Sequence, residues 1–237
     1  MGKKWRFEDW IVEENDDFIF INKPPGISSL EDRNDPVCVL RLAKEYWSDA
    51  QLCHRLDKET SGMLVIAKTP EAYRHLAMRF ESRKVRKYYH ALVAGIHDLK
   101  SEDIDKPILL TGQGIVRISH EGKPSRTIVN TLEAYRKHSL LECQPVTGRM
   151  HQIRVHLAAI GAPICGDIQY GGEEIYLSSI KARFNLKKWT EERPLIGRVA
   201  LHAHSIAFET PDGSPIQVAA PYPKDYAVLL KQLEKNR

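Results

Sequence analysis

Sulfur is scarce in this chain of 237 residues, which holds four cysteines and four methionines. Cys38, Cys53, Cys143 and Cys165 are scattered, with no C-x-x-C pair. That argues against a disulfide scaffold or a zinc ribbon, and reduced thiols in the cytoplasm are expected. Long apolar runs are missing too, and none approaches the ~18 residues of a membrane helix. The opening residues lead from Lys3, Lys4 and Arg6 into Glu8, Asp9 and Glu13, with no apolar core of an export signal. Arg6 also stands where a myristoylation site carries Ser or Thr. Gly112 and Gly114 open a G-x-G, but Arg117 occupies the third glycine position, which argues against a dinucleotide site. No P-loop, no G-x-S-x-G, no internal repeat and no low-complexity linker is present.

What remains is an ordinary globular composition, 42% hydrophobic and 28% charged. At roughly 150 residues per domain, one large or two small domains would fit. The absence of any break in composition favours a single domain over 1–237. The formal charge of +4 is too small to name a partner, but it is unevenly spread. Arg74, Arg79, Arg83, Lys84, Arg86 and Lys87 crowd one stretch against Glu81 alone. A second stretch holds Lys181, Arg183, Lys187, Lys188, Arg193 and Arg198 around Glu191 and Glu192. Such stretches suit either a solvated face or a surface that tracks phosphates.

Periodicity places strands at 18–21, 63–67, 87–93, 127–135, 139–146, 201–209 and 216–219. Thr69, Pro70 and Glu71 read as N-cap, first-turn proline and acid of a helix whose apolar face is Tyr73, Leu76, Ala77 and Phe80. A second helix is expected over 150–160, with Ile153, Leu157 and Ile160 on one face and His151 and Arg154 on the other, stopped by Gly161 and Pro163. A third covers 225–234. Hairpin-linked strands outnumber helices, so the fold class is α+β with a mainly antiparallel sheet.

Two segments are dense in polar groups. Residues 54–62 read His-Arg-Leu-Asp-Lys-Glu-Thr-Ser-Gly and feed directly into a buried strand. Residues 147–157 read Thr-Gly-Arg-Met-His-Gln-Ile-Arg-Val-His-Leu. Taken alone, each suits a structural ion pair or a polar site on nucleic acid. His202 and His204 share a strand face at a spacing that can bind zinc, but spacing marks no third ligand. A metal-dependent hydrolase rests on that pair alone.

The first segment resembles the H-R-L-D-x-x-T-S-G motif of the RluA family of pseudouridine synthases, and the second its G-R-[ST]-H-Q-[IL]-R-V-H. Further stretches resemble the family in order: Lys23-Pro24-Pro25-Gly26, Lys87-Tyr88-Tyr89-His90-Ala91, Gly122-Lys123-Pro124-Ser125-Arg126-Thr127, Pro163-Ile164-Cys165-Gly166-Asp167 with Tyr170, and Leu201-His202-Ala203. Met150 departs from the pattern, removing a hydroxyl at the start of the second motif. The motif-covered core runs over about 17–222, followed by a C-terminal helix over 223–237. Only some sixteen residues precede the core, so the S4-type RNA-binding domain of many relatives is expected to be absent.

The resemblance implies a single α+β pseudouridine-synthase domain, a mixed and mainly antiparallel sheet flanked by helices and loops. It implies isomerisation of uridine in ribosomal or transfer RNA without metal or organic cofactor. The N1–C1′ bond breaks, uracil turns over, and C5 bonds to C1′. Asp57 would be the essential carboxylate, attacking C1′ or taking the 2′ proton in a pocket that excludes water. Arg154 would pair with it, and Tyr89 would stack on uracil and remove the C5 proton. Arg55 would fill the space left by the flipped base. Arg83, Lys84, Arg86, Lys87, Arg149 and His151 are the expected RNA-binding residues. RNA is the one partner implied; no membrane and no obligatory protein partner is, and a monomer suffices. A non-catalytic RNA-binding relative is the alternative, disfavoured because Asp57, Tyr89 and Arg154 are all present.

Overall fold

In the computed structural model, which describes residues 5–31, 37–186 and 189–237, the chain opens on a single 3-10 turn (Glu8–Trp10) and β1 (Ile11–Glu14). It continues through β2 (Phe18–Lys23), α1 (Val39–Tyr46), β3 (Gln51–Leu52), β4 (Ser61–Ala67) and α2 (Pro70–Glu81). Four antiparallel-paired strands and a short hairpin follow as β5 (Arg86–Ala94), β6 (Glu102–Asp105), β7 (Ile108–Leu110), β8 (Val116–Ile118), β9 (Arg126–Ala134) and β10 (His138–Pro145). After α3 (Gln152–Ala159), a 3-10 turn (Ile168–Tyr170) and α4 (Leu177–Ile180) come β11 (Leu201–Glu209), β12 (Pro215–Ala219) and α5 (Lys224–Lys235). By internal packing these elements divide into two units, residues 1–87 with 202–221, and residues 88–201 with 222–237.

In the first unit, β4 is buried at all seven positions. A strand covered on both faces has no need of polar alternation, so it reads as a continuous apolar run. It pairs antiparallel with β2 and β3 and parallel with β11, where His202 lies opposite Ser61. Phe18 and Phe20, two apart on β2, both meet Phe208 at ring separations of 5.3 and 6.2 Å. Gly62 sits at φ +112, and a Cβ there would stand 2.2 Å from the Ala203 carbonyl oxygen, so only glycine lets the two strands approach.

Thr69 caps α2 through Oγ1, which accepts from Ala72 N at 3.1 Å. The face that packs differs from the periodicity: Ala72 and Leu76 are buried, while Tyr73 is 38% exposed. The turn is set by the far end of β11, where the Glu209 carbonyl bonds His75 Nε2 at 2.8 Å and its carboxylate pairs with Arg79 at 2.6 Å. The helix α1 has Val39, Leu42, Ala43 and Tyr46 at helical spacing, with Val39 and Ala43 buried, and it starts where the Cys38 Sγ accepts from Arg41 N.

The second unit holds the antiparallel sheet β5-β10-β9-β6. Its core gathers Leu92, Leu141 and Cys143 from the sheet, Ile153 and Leu157 from α3, and Tyr226, Leu229 and Leu233 along one stripe of α5. The helix α3 is shorter than the spacing predicts. It begins at Gln152, because His151 takes a left-handed conformation at φ 53. Its polar side is split as well. Arg154 faces the loop of Asp167, while Gln152 and His156 turn onto the hairpin, where both bond Thr127 Oγ1 at 2.9 Å. Of the second basic stretch, Arg198 is 8% exposed and bound to Asp225 at 2.7 and 3.1 Å, so it braces α5 and offers nothing to a phosphate. Lys187 and Lys188 lie outside the described residues.

Candidate active site

Asp57 sits in the loop 53–60 between β3 and β4, and the main chain on both sides of it is fastened. On one side the Ser29 hydroxyl accepts from Leu56 N at 3.0 Å and donates to Leu56 O at 2.8 Å. On the other, the Lys58 carbonyl accepts from Gly26 N at 2.8 Å and from the Lys23 ammonium at 3.2 Å. That ammonium is fully buried and also donates to the carbonyls of Pro24 at 2.9 Å and Ile27 at 3.0 Å. A buried charge is tolerable when its donors meet oxygens, and three carbonyls match the three protons of an ammonium. Thr60 N closes the turn onto Asp57 O at 3.1 Å. A half-buried carboxylate therefore projects from a backbone with little freedom to move. Lys23, Gly26 and Ser29 lie in or beside the Lys-Pro-Pro-Gly motif, and their task is to hold the aspartate loop. The sequence located that motif without revealing its purpose.

Arg55, two residues before Asp57 in the same loop, is exposed. His54 is turned inward, with Nε2 accepting from Val65 N at 3.1 Å and its ring 5.3 Å from Phe80. Burial, aided by the nearby Lys87 charge, pulls its pKa down to about 3, so the ring is neutral with its proton on Nδ1. Lys87 lies over the same Phe80 ring at 5.5 Å, and burial lowers its pKa to about 8. Of the basic strip, Arg83, Lys84 and Arg86 are exposed at the turn into β5, and Arg83 takes φ 58.

The other site residues belong to the second unit. Tyr89 lies on β5 opposite Cys143, half-buried against the core. Arg154 donates from Nε and Nη2 to the two oxygens of Asp167, both at 2.6 Å, and from Nη2 to Gln169 at 3.2 Å. Its guanidinium carbon lies 4.9 Å from the Tyr170 ring centroid. His151 Nδ1 bonds the Tyr170 hydroxyl at 2.9 Å. Arg149 is exposed, its N donating to Gln152 Oε1 at 3.0 Å and its Nε reaching Pro124 O at 3.4 Å. The structure thus brings Arg154 and His151 together on Tyr170. Asp57, Arg55 and the basic strip belong to the first unit. Asp167 and Tyr170 stand in a motif quoted from the sequence, but their pairing with Arg154 crosses a turn that no spacing reports.

His202, of the β11 pair, has a different use. His202 Nδ1 bonds Ser61 Oγ at 3.0 Å and Nε2 bonds the Ala220 carbonyl at 3.1 Å, so both ring nitrogens serve the sheet. Among the described residues no group of three or more His, Cys, Asp or Glu is placed to hold a metal. No helix among them is long and apolar enough to cross a membrane.

Comparison with known proteins places this arrangement. The RNA pseudouridylate synthase family matches residues 17–159. The chain is 35% identical over 215 residues to ribosomal large subunit pseudouridine synthase C of Vibrio cholerae, covering 89% of this chain and 64% of that protein. It is 36% identical over 235 residues to the Buchnera aphidicola protein of the same name, covering 96% and 71%. For the Escherichia coli protein the figures are 34% over 237 residues, 97% and 71%. This chain therefore spans between 64% and 71% of the length of these relatives. Among solved structures, human RNA pseudouridylate synthase domain containing 1 superposes with a TM-score of 0.70 at 26% identity, covering 94% of this chain and 87% of that one. The corresponding human domain containing 4 protein has the same fold, with a TM-score of 0.71 at 24% identity and coverage of 96% and 94%. With the family match spanning more than half of its residues and relatives above 30% identity along nearly its whole length, the chain belongs to the RNA pseudouridylate synthases, enzymes that isomerise uridine in RNA to pseudouridine.

Proposed function

We propose that this chain isomerises uridine in ribosomal RNA of the large subunit, in the cytosol, with Asp57 as the carboxylate that acts on the ribose. The observation that carries the assignment is the fastening of Leu56 and Lys58 on either side of Asp57 by Ser29, Gly26 and Lys23. A nucleophile or base gains most when its approach geometry is set before substrate arrives. The names of the relatives support the choice of RNA.

Arg154 pairs with the Asp57 carboxylate, Tyr89 stacks on the uracil and takes the C5 proton, and Arg55 occupies the gap left in the RNA by the flipped base. The C5 proton is replaced at C5 by the bond to C1′, and N1 gains a proton, so the reaction is an isomerisation with no net redox change. Arg83, Lys84 and Arg86, all exposed, contact phosphates. Lys87 lies against Phe80 and suits the support of His54 better than a grip on phosphate. Arg149 and His151 fix the loop that leads into α3. One family match takes in residues of both units, which supports reading them as one catalytic domain.

The test is a transcriptome-wide pseudouridine map of cells with and without the gene, rescued by wild type or by Asp57→Ala. A ribosomal site lost on deletion and restored by wild type alone is the expected result. Restoration by Asp57→Ala, or a lost site only in another class of RNA, would overturn the proposal.

A further inference from the structure

Arg154 is built into a socket whose other members have no assigned part in the reaction. Its side chain is 11% exposed and that of Asp167 only 1%. Two hydrogen bonds of 2.6 Å run in parallel from Nε and Nη2 to the two carboxylate oxygens. That fork fixes the guanidinium plane, which a single contact would leave free to swing. The Tyr170 ring lies 4.9 Å from the guanidinium carbon, and Gln169 adds a bond to Nη2.

Asp167 is itself held at three backbone points. Its N–H donates to Ile164 O at 3.0 Å, and its carbonyl accepts from Tyr170 N at 3.0 Å and Gly172 N at 2.8 Å. At Gly172 a Cβ would meet Ile164 O at 1.9 Å, so only glycine allows the turn to close on Asp167. The carboxylate is thus placed independently of the arginine that it grips.

We infer that Asp167 is a positioning residue for uridine isomerisation, setting the plane of the Arg154 guanidinium before RNA arrives. This rests on the reading of Arg154 as the partner of Asp57. The charge of Arg154 is already balanced by a carboxylate in its own unit. What it brings to a second carboxylate is aimed N–H donors more than unopposed positive charge.

The test is a double-mutant cycle in the full chain, with Asp167→Asn, Arg154→Lys and the pair combined. Single-turnover pseudouridine formation and binding are measured on unmodified large-subunit ribosomal RNA. Asp167→Asn should lower the rate about ten- to a hundredfold, by analogy with outer-shell partners of other functional side chains, and leave RNA affinity within about twofold. The double variant should be no slower than Arg154→Lys alone. Asp167→Glu, which keeps the charge one methylene out of place, runs the same cycle if the asparagine variant does not fold. Two independent, multiplying losses would make Asp167 a general fold contact and overturn the inference. A wild-type rate for Asp167→Asn beside a slow Arg154→Lys would overturn it while sparing the reading of Arg154. A full rate for Arg154→Lys, or no conversion by wild type, would remove that reading and the inference with it.

Discussion

The hydroxyl of Ser29 is one oxygen atom, and its removal should be felt at two levels. Ser29 is 3% exposed and Leu56 4%, so in Ser29→Ala neither the amide nor the carbonyl of Leu56 can turn to bulk water. The void left by one oxygen is smaller than the ~30 Å³ that a water claims in the liquid. Each buried backbone group left without a partner costs about 1–3 kcal/mol, so the pair should cost about 2–6 kcal/mol. In a protein of this size each kcal/mol moves Tm by about 2–4 °C, which gives a fall of about 4–24 °C. Because the lost bonds lie one residue before Asp57, the carboxylate should also lose its fixed approach, and kcat should drop about ten- to a hundredfold. Denaturant unfolding at constant m gives the stability change, and hydrogen exchange at the Leu56 amide reports the loop directly. The amide should exchange at least about 30-fold faster, since each 1.4 kcal/mol of lost protection is tenfold. An unchanged midpoint with unchanged Leu56 exchange would refute the argument that this hydroxyl holds the loop.

Three further outcomes are expected. Arg198→Met should lower stability by about 2–3 kcal/mol, below the usual figure for a buried pair because the Asp225 side chain is 36% exposed, and should leave RNA affinity unchanged in a salt titration. Replacing Arg83, Lys84 and Arg86 together by Gln should weaken RNA binding and reduce the slope of log K against log salt by about 2; an unchanged slope would make the strip a plain solvated face. The pKa of His54 falls to about 3 on folding from an ordinary value near 6.5, so the unfolded chain binds the extra proton first and stability drains away as pH falls below about 6.5. Between pH 6.5 and 5 wild type should lose about 2 kcal/mol more than His54→Gln, measured by urea unfolding at each pH.

Much of the fold was legible because single elements carry their own signal. The seven buried positions of β4, the Thr69-Pro70-Glu71 start of α2 and the hairpin of β9 and β10 are each written within about twenty residues of chain. Most of the elements missed are those whose stability is borrowed. The short strands β3, β6, β7 and β8 exist because a neighbour offers a ladder, whereas α1, also missed, has helical spacing of its own at Val39, Leu42, Ala43 and Tyr46. The apolar face of α2 was misplaced because Glu209, at the far end of another strand, fixes how the helix turns.

The same division holds at the site. Sequence picked out the side chains proposed for the chemistry, because Asp57, Tyr89 and Arg154 each stand in a motif that resembles a known family, and the chain belongs to that family. Position along the chain says nothing about partners that lie far off in sequence. Tertiary structure alone decided that Ser29 and Lys23 hold the aspartate loop, that Arg154 rests on Asp167 and Tyr170, and that Arg198 is a brace. It also turned His54 inward as a neutral ring and spent both nitrogens of His202 on the sheet. Residue type limits what a side chain can donate or accept, and burial with local geometry chooses which of those options is used.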